Sequence, residues 1–280
     1  MGTPSQKKPF SRLYEFPSTA KRIFVVGDLH GDLCSYKTVV NSWQKEKGSN
    51  LVFLGDYADR GPQGLEIIES LMKLSKEDGI VVLKGNHEDY SNSGQPLFYP
   101  CDLRSEVTEK RGSWDSYFSQ YLKPFFKGLY VSAMLPGKIL FVHGGISNRI
   151  EDIDSLRYPA PETEKDILWS DPGDSPGEEK NPRGLGFIFG KDVTDRILKH
   201  IVVDVIIRSH EPKKTREGPY SEHNRMIVTI SSTNAYERFR RQDEPHYRPH
   251  YLELKVDEVP EILADPVKFS HCVRYIEQRR

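Results

Sequence analysis

The sequence predicts an α/β fold in a single domain, and two features carry that prediction. A short apolar run, a polar turn with glycine and an amphipathic segment follow one another three times in the first half of the chain. The three turns begin at Gly27, Gly55 and Gly85, which are 28 and 30 residues apart. This spacing is typical of βαβ units, and such units build parallel sheets.

The first half of the chain supplies strands and helices to this fold. RIFVV (22–26), NLVFL (50–54) and IVVL (80–83) have the length and the β-branched composition of buried strands. Apolar residues then recur at helical steps: Leu33, Tyr36, Val39, Val40 and Trp43 after the first strand, and Leu65, Ile68, Leu71 and Leu74 after the second. Both stripes predict helices, and Pro62 suits the first turn of the second helix.

The second half predicts a hairpin, more strands and a long loop. GLYVSAML (128–135) and KILFV (138–142) flank a Pro-Gly pair that is typical of a hairpin turn. Three further runs predict strands: VDVII (203–207), MIVTI (226–230) and the alternating YLELKV (251–256). Residues 170–184 are dominated by Pro, Gly and acidic residues, which predicts an exposed loop.

Composition restricts the class of protein. The 280 residues include 40 Lys and Arg against 41 Asp and Glu, so a net charge of −1 gives no electrostatic case for a nucleic-acid or anionic-membrane partner. The three cysteines are widely spaced, which predicts no disulfide framework and favours the cytoplasm. No stretch approaches the ~18 apolar residues of a membrane span. Residues 1–20 are predicted to be a polar arm, followed by one domain over residues 21–280.

Polar side chains gather directly after five of the predicted strands. The clusters are GDLH, GDYADRG, GNHE, HGG and RSH, and they contain Asp28, His30, Asp56, Asp59, Arg60, Asn86, His87, His143 and His210. Because ligands of α/β sheets bind outside the carboxyl ends of the strands, these side chains can meet at one point. The glycine in each turn is expected to allow a sharp bend, including positive φ.

The residue types in these clusters favour a catalytic metal centre. Structural zinc sites favour cysteine, whereas a mixed set of oxygen and nitrogen ligands suits Mn, Fe or Zn at a catalytic centre. The set is too large for one ion, so two ions about 3.5–4 Å apart that share a carboxylate fit better. Taken alone, GNHE would equally suit a helix start, with Asn86 as N-cap and Glu88 and Asp89 favoured by the helix dipole.

Together these motifs resemble the phosphoprotein phosphatase (PPP) family of metallophosphoesterases, in particular its compact archaeal and bacterial serine/threonine phosphatases. The resemblance rests on Asp28-Leu-His30-Gly, GDYADRG (55–61), GNHE (85–88), HGG (143–145) and the later His210. LWSDP (168–172), RGLGFIFG (183–190) and SSTNAY (231–236) follow in the family's order. The resemblance implies a two-sheet core, a β-sandwich flanked by helices, with residues 21–280 as the catalytic domain.

The resemblance also implies two divalent transition metal ions and their ligands. Asp28, His30 and Asp56 would hold one ion, and Asp56, Asn86, His143 and His210 would hold the other. Manganese is expected in vitro, with iron or zinc as alternatives. A water between the ions, acidified to hydroxide, would attack phosphorus in line.

Further roles implied by the resemblance concern the substrate. Arg60 and Arg183 would bind the phosphoryl oxygens, because a planar guanidinium matches their geometry. Asn86 and His210 would also contact the phosphate. His87 would protonate the leaving oxygen, and Asp59 would orient His87. Glu88 is expected to be structural.

Two segments have no assigned role. In eukaryotic members a tyrosine directly follows the asparagine of the last motif, but here Ala235 separates Asn234 from Tyr236, and the family's next cysteine is absent. The resemblance therefore assigns no phosphate contact to Tyr236. The acidic stretch DSPGEE (174–179) would repel acidic substrates if it lay beside the active site.

Three functions remain open at this point. The first is hydrolysis of phosphomonoesters, above all phosphoserine and phosphothreonine in proteins, with a phosphorylated protein or peptide as partner and regulatory partners unknown. The second is symmetrical hydrolysis of dinucleoside tetraphosphates, and the third is an inactive phosphatase fold used as a binding module. Intact GDxxDRG and GNHE motifs favour the first, and a complete ligand set argues against the third.

Overall fold

Two β-sheets packed face to face form the centre of the structure, a computed structural model that describes residues 10–259, 261 and 265–277. In spatial order, the first sheet contains β1 (Leu13–Glu15), β5 (Ser132–Leu135), β6 (Ile139–Val142), β10 (Val205–Arg208), β12 (Ile227–Thr229) and β11 (Tyr220–Glu222). The second contains β14 (Val273–Tyr275), β13 (His250–Lys255), β2 (Arg22–Val26), β3 (Asn50–Phe53) and β4 (Ile80–Val82). A third, small sheet contains β7 (Asp171–Pro172), β9 (Phe187–Phe189) and β8 (Glu178–Lys180).

Parallel pairing brings the ends of the central strands to one edge of each sheet. β2, β3 and β4 are parallel neighbours in the second sheet, as are β6, β10 and β12 in the first. The polar turns that follow these strands therefore start side by side. The predicted parallel units are confirmed, and the antiparallel pairing of β5 with β6 confirms the hairpin.

The core between the sheets explains why the strands have few polar positions. Side chains alternate along a strand, so Ile23 and Val25 face the first sheet while Phe24 faces the helices on the other side. Phe141 and Ile207 approach from the first sheet into the same inner layer. Strands covered on both faces are apolar throughout, which is the pattern of the continuous runs in the sequence.

Helices cover the outer faces of both sheets. Their bounds are α1 (Leu33–Gln44), α2 (Gly64–Leu74), α3 (Leu103–Arg111), α4 (Trp114–Tyr117), a π-helical turn (Phe118–Leu122), α5 (Lys123–Gly128), α6 (Asp154–Arg157), α7 (Pro161–Trp169), α8 (Lys191–Ile201) and α9 (Pro266–Ser270). α1 to α5 pack on the second sheet, and α6 to α8 pack on the first. The predicted helices α1 and α2 are confirmed, although Pro62 lies just before α2 rather than in its first turn.

Residues 170–184 are not one exposed loop as predicted. They contribute β7 and β8 to the small sheet, and the side chain of Asn181 is buried. The strands are only two or three residues long, and β8 (Glu-Glu-Lys) is wholly charged, so the composition gave no strand signal.

Among the described residues, no helix is long and apolar enough to cross a bilayer.

The predicted polar arm also differs from the structure where it is described. Residues 1–9 lie outside the described part, but β1 pairs in parallel with β5. Leu13 and Phe16 are buried, and the Phe16 ring meets Phe141 edge to face at 5.9 Å. Residues 13–16 are thus part of the sandwich. A strand of only three residues leaves no periodic pattern in the sequence, so β1 was not predicted.

We expect Phe16→Ala to lower the free energy of unfolding by about 3–5 kcal/mol, because it removes a ring from the inner layer. Phe10→Ala is the matched control, since that ring is 58% exposed and its removal should cost less than about 1 kcal/mol. Urea denaturation of both variants measures the difference. Equal stabilities would show that the segment is not part of the core.

Candidate active site

The polar clusters meet beyond the carboxyl ends of the central strands of both sheets. Asp28 follows β2, Asp56 follows β3, and Asn86 opens a 3₁₀ turn after β4. His143 and His210 come from the first sheet, after β6 and β10. All the predicted metal ligands, including His30, are buried. The structure therefore brings together the whole set that was predicted from the strand ends.

Several of these side chains are oriented by a strained backbone conformation. His30, Asp56 and His210 have left-handed φ values of 44°, 58° and 74°, a conformation that costs non-glycine residues roughly 1–3 kcal/mol each. The expectation that glycine would carry positive φ holds at Gly55, where φ is 113°. Gly85 has extended backbone instead, and it is glycine because an added Cβ would lie 2.3 Å from Asp56 Oδ1.

Nitrogen and oxygen atoms of three other buried side chains surround His143 Nε2 and form with it the first of two lone-pair groups. Its Nδ1 lies 3.0 Å from the Leu54 carbonyl and donates its proton there, so Nε2 is an acceptor. This Nε2 faces Asn86 Oδ1 at 2.9 Å, His210 Nδ1 at 3.1 Å and Asp56 Oδ1 at 3.3 Å. The oxygens of Asn86 and Asp56 are acceptors that face this acceptor, and they repel it unless a cation lies between them. If the Asn86 amide were turned, its NH₂ group would face both imidazoles at hydrogen-bond distance. With the oxygen facing inward, the arrangement is favourable only when a cation lies between the acceptors.

A second group of lone pairs forms around His30. Its Nδ1 lies 2.9 Å from the Ala58 carbonyl and donates there, so Nε2 is again an acceptor. It faces Asp56 Oδ2 at 3.4 Å and Asp28 Oδ2 at 3.8 Å. Asp28 Oδ2 is buried without a hydrogen-bond partner, although Ser209 and the His210 amide donate to Oδ1.

The electrostatics of both groups favour a cation. Burial raises the pKa of Asp28 to about 6 and raises the pKa of Asp56 well above its ordinary value. Burial also lowers the pKa of His30, His143 and His210, so the imidazoles are neutral, which is the ligating form. The residues present therefore fit two divalent cations that share Asp56, whose two oxygens face different groups.

His87 is held beside this centre by a carboxylate. Its Nδ1 lies 2.6 Å from Asp59 Oδ2, while Asp59 Oδ1 accepts from the amides of Asp102 (2.6 Å) and Leu103 (2.8 Å) at the start of α3. These two hydrogen bonds fix the Asp59 side chain against the start of α3. His87 also lies near enough to His30 and Asp56 to complete a metal-binding group, so its Nε2 is placed for either ligation or proton transfer.

Glu88 does more than the predicted helix-start role. Its Oε2 accepts from the Gly85 amide at the start of the 3₁₀ turn, which confirms that role, and also from the Asp56 amide, both at 2.9 Å. Its Oε1 accepts from the Tyr57 amide at 3.0 Å. Burial raises the pKa of Glu88 to about 7. This carboxylate joins the turns after β3 and β4, a role that the sequence analysis missed because all three partners are backbone groups.

A cleft of about 790 Å³ opens over the centre and carries both predicted arginines. Arg60 is fixed through its amide, which donates to Asp102 Oδ2 at 2.9 Å. Arg183 hydrogen-bonds His210 Nε2, and its backbone amide donates to the buried Asn181 at 3.0 Å. Asn181 in turn donates to Asp171 Oδ2 and to the Trp169 carbonyl, so it anchors the segment that carries Arg183.

Tyr236 lies in the cleft despite the inserted Ala235. A 3₁₀ segment over Ala235–Phe239 carries it, and its hydroxyl is 3.4 Å from His30 Nε2. The Arg60 guanidinium lies 5.7 Å from the centre of its ring. Burial raises the pKa of Tyr236, so the hydroxyl stays protonated and can donate a hydrogen bond toward the centre.

Residues 21–214 match the sequence model of the calcineurin-like phosphoesterases. The chain belongs to this family. A protein serine/threonine phosphatase from Saccharomyces cerevisiae with similarity to human phosphatase PP5 superposes with a TM-score of 0.74 at 21% identity, covering 97% of this chain and 85% of that one. A protein described as a candidate diadenosine tetraphosphatase gives a TM-score of 0.52 at 14% identity, covering 95% and 98%. These likenesses confirm the calcineurin-like fold that the resemblance implied.

In this calcineurin-like phosphoesterase, we expect Glu88→Gln to weaken both the fold and the metal centre. An amide NH₂ would face a backbone N–H, and an unsatisfied buried donor costs about 1–3 kcal/mol. Loss of support around metal ligands typically lowers metal affinity by about 10- to 100-fold. Denaturation and Mn²⁺ titration by calorimetry measure the two effects. The exposed Glu109→Gln is the matched control, and equal behaviour of the two variants would contradict the role assigned to Glu88.

Proposed function

We propose that this calcineurin-like phosphoesterase hydrolyses phosphomonoesters and that phosphoserine and phosphothreonine in proteins are its substrates. The observation that carries the proposal is the His87–Asp59 pair, in which His87 lies beside the lone-pair groups and lines the same cleft as Arg60 and Arg183. A serine or threonine alkoxide is a poor leaving group and needs a proton. An oriented imidazole in that position can supply it.

The metal ligands divide into two sets that share one residue. We propose that Asp28, His30 and Asp56 hold one divalent cation, and that Asp56, Asn86, His143 and His210 hold the other. When bound, such a pair supplies an acidified water and neutralises phosphoryl charge. Oxygen and nitrogen ligands without sulfur suit manganese, iron or zinc. The metal itself is proposed to be manganese in vitro.

The chain's own residues then account for binding and leaving-group departure. Arg60 and Arg183 hold the phosphoryl oxygens through planar guanidinium groups. The Tyr236 hydroxyl adds a donor on the His30 side of the cleft. His87 passes the proton on Nε2 to the departing oxygen while Nδ1 keeps its hydrogen bond to Asp59, which stabilises the positive charge before transfer.

The proposal also concerns the partner and the cellular compartment. We propose a phosphorylated protein or peptide as the partner, without nucleic acid or membrane. Cys34, Cys101 and Cys272 are free thiols, which supports a reducing compartment such as the cytoplasm. The geometry of the ligand set supports an enzyme over an inactive binding module, because the inward lone pairs of both groups are retained.

The decisive experiment compares three substrates with the purified protein and Mn²⁺. We expect turnover of a phosphoserine peptide to exceed that of a phosphotyrosine peptide and of diadenosine tetraphosphate. Chelation with EDTA should abolish all turnover, and added Mn²⁺ should restore it. Faster hydrolysis of diadenosine tetraphosphate would replace the proposed substrate class with dinucleoside polyphosphates.

A separate prediction concerns His87. General acid catalysis contributes about 10²–10⁴-fold, and nitrophenolate leaves without a proton whereas serine does not. His87→Asn should therefore lose far more rate on a phosphoserine peptide than on p-nitrophenyl phosphate, while bound metal stays near two equivalents.

Elemental analysis and heavy-atom isotope effects at the leaving oxygen complete that comparison. Isotope effects show whether bond breaking limits turnover on both substrates. Equal rate losses, with bond breaking limiting, would assign His87 to positioning. Loss of metal would make His87 a ligand, in line with its distance from His30 and Asp56.

A further inference from the structure

The walls of the cleft carry excess positive charge outside the metal ligands. Arg60, Arg183 and Lys213 line it, and among the described residues Glu211 is the one wall carboxylate besides Asp56. Glu211 is neutralised, because the buried Arg208 pairs with it and Lys214 Nζ lies 3.0 Å from it. The wall therefore carries one cation, Lys213, beyond the two arginines that are assigned to the phosphoryl group.

Lys213 is the cation in this set that the proposed reaction does not use. Its side chain is exposed, and in the part of the chain that the structure describes no ion pair or hydrogen bond engages its ammonium group. The neighbouring Lys214 is different, because its Nζ lies 3.0 Å from both Glu211 and Glu222. Two adjacent lysines thus differ in whether their charge is available to a ligand.

The backbone beneath Lys213 is held in place. Lys214 and Thr215 donate their amides to the Glu211 carbonyl at 3.0 and 3.3 Å, and Pro212 is buried. This turn directly follows His210. A fixed turn limits where the Lys213 side chain can go, so its charge stays near the wall that also carries Arg183.

The acidic stretch at residues 174–179 does not offset this charge. Of the described residues that line the cleft, none belongs to it. Glu178 accepts from the Asn148 amide, and Asp192 caps the Gly177 amide at 2.9 Å, so the stretch is tied down elsewhere. The stretch was expected to repel acidic substrates only if it lay beside the active site, and it does not line the cleft.

We propose that Lys213 is a specificity residue that binds the carboxylate of an acidic side chain next to the phosphorylated serine or threonine. This inference rests on the proposed function of the same cleft. Arg60 and Arg183 take the phosphoryl group, and Lys213 takes the neighbouring aspartate or glutamate. Substrates with an acidic neighbour are preferred over those with a neutral or basic one.

Three phosphoserine peptides that differ only in flanking Glu, Gln or Lys residues test this proposal. Exposed ion pairs contribute about 0.2–1 kcal/mol, so the native protein should favour the Glu peptide over the Gln peptide by up to about fivefold in kcat/KM. Lys213→Gln should remove that preference, and Lys213→Glu should turn it toward the Lys peptide. High salt should weaken the preference, because the pair is exposed.

Lys214→Gln is the matched control, with the same change of charge one residue away on a side chain that is already paired. It should keep the preference for the Glu peptide. If the native protein, Lys213→Gln and Lys214→Gln all show the same ratio of kcat/KM between the Glu and Gln peptides, Lys213 is not a specificity residue. That result would leave the proposed function standing. Failure to hydrolyse any of the three peptides, with diadenosine tetraphosphate still cleaved, would instead overturn the proposed function.

Discussion

Repulsion between buried lone pairs is the constraint around which this structure is organised. Two of the imidazoles that face the centre give their one proton outward: His143 to the Leu54 carbonyl and His30 to the Ala58 carbonyl. Their other nitrogens, and both oxygens of Asp56, must then point inward at one another. Packing alone would not choose this arrangement. Two cations would turn the repulsion into ligation, which is why the turns tolerate left-handed backbone at Asp56 and His210.

Backbone amides supply much of the support for this arrangement. Glu88 takes three of them and so sets the distance between two turns from adjacent strands. Asp59 takes two from the start of α3 and fixes His87 from behind. Both carboxylates are buried and accept hydrogen bonds from several directions, so neither can move without leaving donors unpaired. The substrate-facing residues are therefore positioned by groups that the substrate does not touch.

The residues of the candidate site could be predicted from the sequence because they lie at strand ends, where apolar runs change abruptly to Asp, His and Asn. The parallel sheet could be predicted for the same reason, since the runs are long and buried on both faces. Prediction failed where the sequence signal is short or where the partner is backbone. β1 and β8 have three residues each, and Glu88 and Asn181 act through hydrogen bonds to main-chain groups. Tyr236 lines the cleft from a 3₁₀ segment, which the motif did not predict because Ala235 separates it from Asn234.

The sharing of Asp56 has a consequence for how the centre fills. Its Oδ2 faces His30 while its Oδ1 faces His143, so two ions bound there would share one negative charge. An ion at either position would reduce the charge left for the other, and this coupling must be reciprocal. The set around His30 also has the carboxylate of Asp28, whereas Asp56 is the one carboxylate in the set around His143, so the second set depends more on the shared charge. Loading would then be stepwise, with the His30 set filled first, and the two positions could hold different elements.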